Sequence, residues 1–123
     1  MRRLRGLARW VLVALAASAT WASAHAVLTK SSVRDQPVKA DTASSITLTF
    51  NSGIEAGFAQ VTLRGEGPDR TLTAHAGEKP SEVVVDLPPL SPGAYALRYK
   101  VLAADGHVTE SVFRFRIDPP SSK

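Results

Sequence analysis

Two of the three histidines in this 123-residue chain stand where a metal site can be built: His25, and His107 within Asp105-Gly106-His107. His25 follows Ala22-Ser23-Ala24, the small-residue A-x-A pattern at which secretory leaders are cut, so cleavage after Ala24 would make it the first residue. A terminal histidine carries a free α-amine and an imidazole Nδ1 that close a six-membered ring on one ion. The α-amine, with a pKa near ~8, yields its proton to a metal far more readily than a lysine does. Asp105 and His107 are at i and i+2, which in an extended chain point to the same side within ~7 Å of each other, and Gly106 lets the backbone bend between them. The three residues together offer three nitrogens and one carboxylate oxygen. A tetragonal nitrogen and oxygen set without sulfur suits a single Cu(II) ion, and zinc can use the same atoms in tetrahedral form. Taken singly, each feature has a plain explanation: Asp-Gly-His is a common turn with a solvated histidine, and a histidine can fall at a cleavage point by accident. It is their conjunction that points to a metal. His75 stands apart and reads as a solvated loop histidine, with an accessory ligand role left open.

The segment that creates the terminus is itself legible. Arg2, Arg3, Arg5 and Arg9 precede an apolar run over Trp10 to Ala17, too short to span a bilayer, which is the pattern of a secretory n-region and h-region. Whether export is general or twin-arginine is not decided by the Arg2-Arg3 pair. Residues 1–24 are therefore expected to be removed, leaving 99 residues in the periplasm. The leader holds four of the 15 basic residues and no acid, so the mature chain has 11 of each sign and the formal charge of +4 belongs to the precursor. No basic surface for nucleic acid or anionic lipid remains. No further apolar stretch of membrane-spanning length follows, and the absence of cysteine rules out a disulfide and a lipidated cleavage-point cysteine.

About a hundred residues make one domain, expected over 25–118 with a flexible tail over 119–123. Short alternating runs at roughly ten-residue spacing, parted by turn residues, predict an all-β, Ig-like Greek-key sandwich of about seven strands. Ile46, Leu48 and Phe50 alternate with threonines; Ala59, Val61 and Leu63 with Gln60 and Thr62; Val83, Val85 and Leu87 with Val84 and Asp86. Tyr95, Leu97, Tyr99 and Val101 share one face of a late strand, and Phe113, Phe115 and Ile117 one face of the last. Asp105-Gly106 between them is a turn or bulge signal. Gly93-Ala94-Tyr95 at the start of a strand suggests a tyrosine corner. Asn51 to Gly57, Gly65 to Arg70 and the tail read as connections.

With these residues in view, the chain resembles the CopC family of periplasmic copper-binding proteins. The resemblance rests on His25-Ala26-Val27-Leu28 with the following Ser31-Ser32, on Leu48-Thr49-Phe50, and on Leu90-Ser91-Pro92-Gly93-Ala94-Tyr95. Its most specific part is Tyr99 to His107, which is similar to the family's strand leading into Ser-x-Asp-x-His, with the Phe-x-Phe strand matched at Phe113 to Phe115. It implies a Greek-key β-sandwich in which His25, Asp105 and His107 bind Cu(II), and an inner-membrane copper transporter of the CopD type as partner. Some members also bind Cu(I) through a methionine-rich loop. The corresponding stretch, about Leu63 to Ala76, has no methionine, and the one methionine of the chain is Met1. Val33 and Val108 stand where the family often has proline, a departure that bears on loop rigidity more than on ligands.

The expected role is a Cu(II) carrier or buffer in copper resistance or homeostasis, and not an enzyme. One rival is an oxidative copper enzyme of the monooxygenase kind, which also uses an N-terminal histidine. Against it, Asp105 would crowd the open coordination position that catalysis needs, and the small domain offers little substrate face. Another is a metal-independent Ig-like interaction module, which exposed apolar patches would support. A hydrolase built on Ser81 or Ser111 has no nucleophile elbow around it.

Overall fold

The computed structural model describes residues 26–120, so the leader over 1–24, its cleavage point and the last three residues lie outside the described residues. Alternation decides most of the architecture. Eight strands form: β1 (Leu28–Ser31), β2 (Ser44–Phe50), β3 (Gln60–Arg64), β4 (Arg70–Leu72), β5 (Ala74–Ala76), β6 (Glu82–Leu87), β7 (Gly93–Leu102) and β8 (Val108–Ile117). A short 3-10 turn over Ala56–Phe58 is the one helical element among the described residues. No helix there is long and apolar enough to cross a membrane.

The strands make two four-stranded antiparallel sheets, ordered β1-β2-β6-β5 and β4-β3-β7-β8. Consecutive pairs stay within one sheet, while the inner pairs β2–β6 and β3–β7 join strands distant in sequence, as in Greek-key sandwiches. Every second residue of the inner strands faces the other sheet. Ile46, Leu48, Phe50, Val83, Val85 and Leu87 on one side meet Val61, Leu63, Leu97, Tyr99, Val101, Phe115 and Ile117 on the other, all buried. Phe50 sets its ring edge-on to Tyr99 across the core, with centroids 5.6 Å apart at 74°.

Two fixed points hold the far end of the sandwich. Tyr95 donates its hydroxyl to the Ser91 carbonyl at 2.7 Å, a tyrosine corner at the start of β7. Its ring stacks on Phe115, the residue opposite in register. Gly65 passes so close to this ring that a Cβ there would lie 2.5 Å from it, which accounts for glycine at that place.

The two sides of the sandwich close differently. On one side, β4 pairs with β3 and, after Thr73 alone, β5 pairs with β6, so a single stretch of chain steps from one sheet to the other. The Asp86 amide donates to the Thr73 carbonyl at the step, at 2.9 Å. On the other side lie the edge strands β1 and β8. There the sheets part, and the N-terminal segment crosses between them.

Candidate metal centre

The hairpin of β7 and β8 pairs in register for ten residues, to Leu102 opposite Val108. Beyond it, Ala103 and His107 close a three-residue loop: the Ala103 amide donates to the His107 carbonyl at 2.8 Å, and the Gly106 amide donates back to the Ala103 carbonyl at 2.9 Å. Gly106 has φ of +92°. A type I turn followed by a left-handed glycine is the usual three-residue hairpin connection, and it needs glycine at its third position. Asp105-Gly106 is therefore the turn that the sequence signals.

Within this turn the Asp105 carboxylate is used twice. Oδ1 accepts the His107 amide N–H at 3.0 Å, and Oδ2 lies 3.1 Å from His107 Nδ1. Asp105 and His107 thus come together through a turn held by the aspartate's own side chain, and the extended geometry expected from the i, i+2 spacing does not occur. Both side chains are about half exposed. The two bonds from His107, first to its backbone N–H and then to its ring, hold the Asp105 carboxyl below the ordinary carboxylate value. It stays ionised and available to a cation. The pair also has the right spacing for a shared ion: neighbouring corners of a square with ~2.0 Å metal bonds are ~2.8 Å apart.

His25 lies outside the described residues, and the residues that follow it are held beside the hairpin. Ala26 is buried, and its amide donates to Thr109 Oγ1 at 3.1 Å, two residues past His107. The Val27 amide donates to Asn51 Oδ1 at 2.9 Å, and the Asn51 amide donates to the Val27 carbonyl at 3.0 Å. The loop that begins at Asn51 also reaches the hairpin turn, since Gly53 accepts the Ala104 amide at 2.9 Å and Ile54 bridges Ala103. Beside this frame an open groove of about 580 Å³ is lined by Ala26, Val27, Tyr99, Val108 and Val112 among others. Val27, Val108 and Val112 are exposed around it. Neither Asn51 nor Thr109 carries a sign of this role in the sequence, because their partners lie 24 and 83 positions away.

His75 is on β5, far from this end of the fold in sequence pairing and engaged elsewhere. Its Nε2 lies 3.2 Å from Asp86 Oδ1 on β6, and its Nδ1 lies 3.3 Å from the Ala76 carbonyl oxygen. The Asp86 carboxylate, and then the Ala76 carbonyl, raise its pKa above the ordinary 6.5. Among the described residues, no group of three or more histidine, cysteine, aspartate or glutamate side chains converges on one point. Asp105 and His107 are a pair of such side chains and not a group of three.

Comparison with known proteins identifies the family. The CopC domain family matches residues 28–118. The chain belongs to the CopC family. Within the curated proteins it is 30% identical over 120 residues to Protein YobA of Escherichia coli, covering 94% of this chain and 95% of the relative. The crystal structure of CopC from Methylosinus trichosporium superposes with a TM-score of 0.64 at 28% identity, over 80% of this chain and 99% of that one. PcoC, a copper resistance protein from Escherichia coli, shares the fold with a TM-score of 0.55 at 20% identity, over 75% of this chain and 99% of that one.

Proposed function

We propose that the processed protein binds one Cu(II) ion in the periplasm and serves as a copper carrier or buffer. His25 supplies its α-amine and Nδ1, His107 its imidazole, and Asp105 a carboxylate oxygen. The coarser reading, a copper-binding protein of a copper resistance family, follows from membership of the CopC family and its structural relatives. The finer reading rests on one observation above all: Ala26 is tied to Thr109, two residues beyond a His107 already paired with Asp105. Residue 25 is joined directly to Ala26, which supports a reading in which its donors join that pair. Metal uptake then displaces protons from the donor nitrogens, that of the α-amine above all, which makes binding weaken as pH falls.

Nitrogen and carboxylate donors fit Cu(II), and the chain after the leader has no thioether for Cu(I). Removal of residues 1–24 is a condition of the function, because an amide nitrogen joined to Ala24 is a poor ligand where a free amine is a good one. Titrating Cu(II) into the processed chain, a chain with one extra residue before His25, and His107→Ala, with electron paramagnetic resonance as readout, tests the proposal. One nitrogen-rich tetragonal signal that saturates at one equivalent in the processed chain alone is expected. The same tight signal from all three proteins would refute it.

The exposed Val27, Val108 and Val112 beside the groove favour a second, compatible reading, in which this end also docks a protein such as a CopD-type transporter that takes the ion. Val108→Asp would then abolish copper hand-off to membranes holding such a transporter while leaving Cu(II) binding intact. Unchanged hand-off would dismiss that surface.

A further inference from the structure

We propose that Asn51 and Thr109 are positioning residues that fix the N-terminal segment before any metal arrives, an inference that rests on residue 25 supplying donors. The segment is short and would fray if left alone. Here it is held on both sides. Asn51 closes a two-bond ring with Val27, its side-chain oxygen taking the Val27 amide while its own amide gives to the Val27 carbonyl. Thr109 takes the next amide towards the terminus, that of Ala26, in a half-buried setting, and the Ala26 methyl is sealed in the core at 1% exposure. Two consecutive amides are thus bound by side chains from opposite sheets, one at the end of β2 and one on β8.

Both anchors are also coupled to the donor turn. Thr109, on β8, lies two residues after His107, and the loop from Asn51 contacts Ala103 and Ala104 through Ile54 and Gly53. The frame that orients the N-terminal segment is therefore the frame that orients Asp105 and His107. Consecutive Cα atoms are ~3.8 Å apart, so fixing Ala26 leaves residue 25 only its own backbone and side-chain torsions to search. Binding then pays little of the entropy cost of ordering the terminus, and the gain shows as affinity.

Chelator competition on the processed chain and on the one-residue extended chain, each as wild type, Thr109→Val, Thr109→Ser and Asn51→Ala, tests this. Thr109→Val and Asn51→Ala should each weaken Cu(II) binding by the processed chain about tenfold, one hydrogen bond's worth, and Thr109→Ser should restore it to within about threefold. None should move the residual affinity of the extended chain by more than about twofold, because the terminal donors are already lost there. In the metal-free processed protein, hydrogen exchange at the Ala26 amide should rise about tenfold in Thr109→Val. Processed Thr109→Val and Asn51→Ala that bind within about twofold of wild type, or losses equal in processed and extended chains, would overturn the positioning role while sparing the terminal-histidine reading. Equal affinity of the wild-type processed and extended chains would instead remove that reading, and this one with it.

Discussion

Two histidine–aspartate pairs sit on this surface with nearly the same contact length and exposure, and their surroundings differ. His107 and Asp105 approach to 3.1 Å, His75 and Asp86 to 3.2 Å, and all four side chains are about half exposed. Around His75 both ring nitrogens face an oxygen acceptor, Asp86 on one side and the Ala76 carbonyl on the other. That environment rewards a doubly protonated ring. His107 faces the Asp105 carboxylate at Nδ1, and among the described residues its Nε2 has no hydrogen-bond partner. The second difference is what lies next to each pair. Asp105 and His107 share their frame with the anchored N-terminal segment, while His75 and Asp86 join an edge strand to its neighbour on the side of the sandwich that the chain itself closes. Two pairs alike in contact length thus differ in what surrounds the second ring nitrogen and in what stands next to the pair.

The largest expected effect separates the pairs outright. His107→Ala should weaken Cu(II) binding by more than about 100-fold, beyond what loss of a mere orienting partner costs, and His75→Ala should leave it within about twofold, by chelator competition. A large loss in His75→Ala would erase the distinction. Asp105→Asn should cost about 10- to 100-fold in affinity and change the resonance spectrum, whereas Asp86→Asn should do neither.

Gly106→Ala sharpens the contrast from the backbone side, because the left-handed φ of +92° is built into one pair and not the other. The strain of about 1–2 kcal/mol should appear as a lower melting temperature together with weaker copper binding.

How much of this was legible in the sequence follows from where side chains are buried. β2, β3, β6 and β7 announce themselves because every second residue enters the core, as at Ile46, Leu48 and Phe50. β8 begins at Val108, five residues before the Phe113 that marks it in the sequence, because on the face that carries Phe113 Thr109 is only partly buried and Ser111 is exposed, so no apolar alternation is required. β4 and β5 are three residues each and largely exposed, so they leave no periodic trace, and the strand number rises to eight. Within β1 a bulge between Leu28 and Lys30 breaks the period. For the centre, residue type and spacing pick out Asp105 and His107, but the turn that joins them replaces the extended geometry. Asn51 and Thr109 work through backbone amides of a remote segment, a relation with no local pattern to read.

The smallest effect is electrostatic. His75 has its pKa raised, so its pair contributes fully below the unfolded value of 6.5 and that contribution is lost as pH rises through the higher folded value. Asp105 has its pKa lowered, so its turn is favoured above the unfolded 3.8 and weakens as pH falls through the folded value. Both groups are solvent-exposed, and global stability should barely respond. In a nuclear magnetic resonance titration of the metal-free protein, the His75 midpoint should lie above 6.5 and fall back towards it in Asp86→Asn. A midpoint unmoved by that substitution would show the pair to be idle.

In the proposed centre, a terminus made by processing completes what Asp105 and His107 begin. The Cu(II) affinity of the chain beginning at His25, set against that of the same chain with one residue added before it, decides whether it does. A loss of more than about 100-fold on extension is predicted, and equal affinities would show that the terminal amine takes no part.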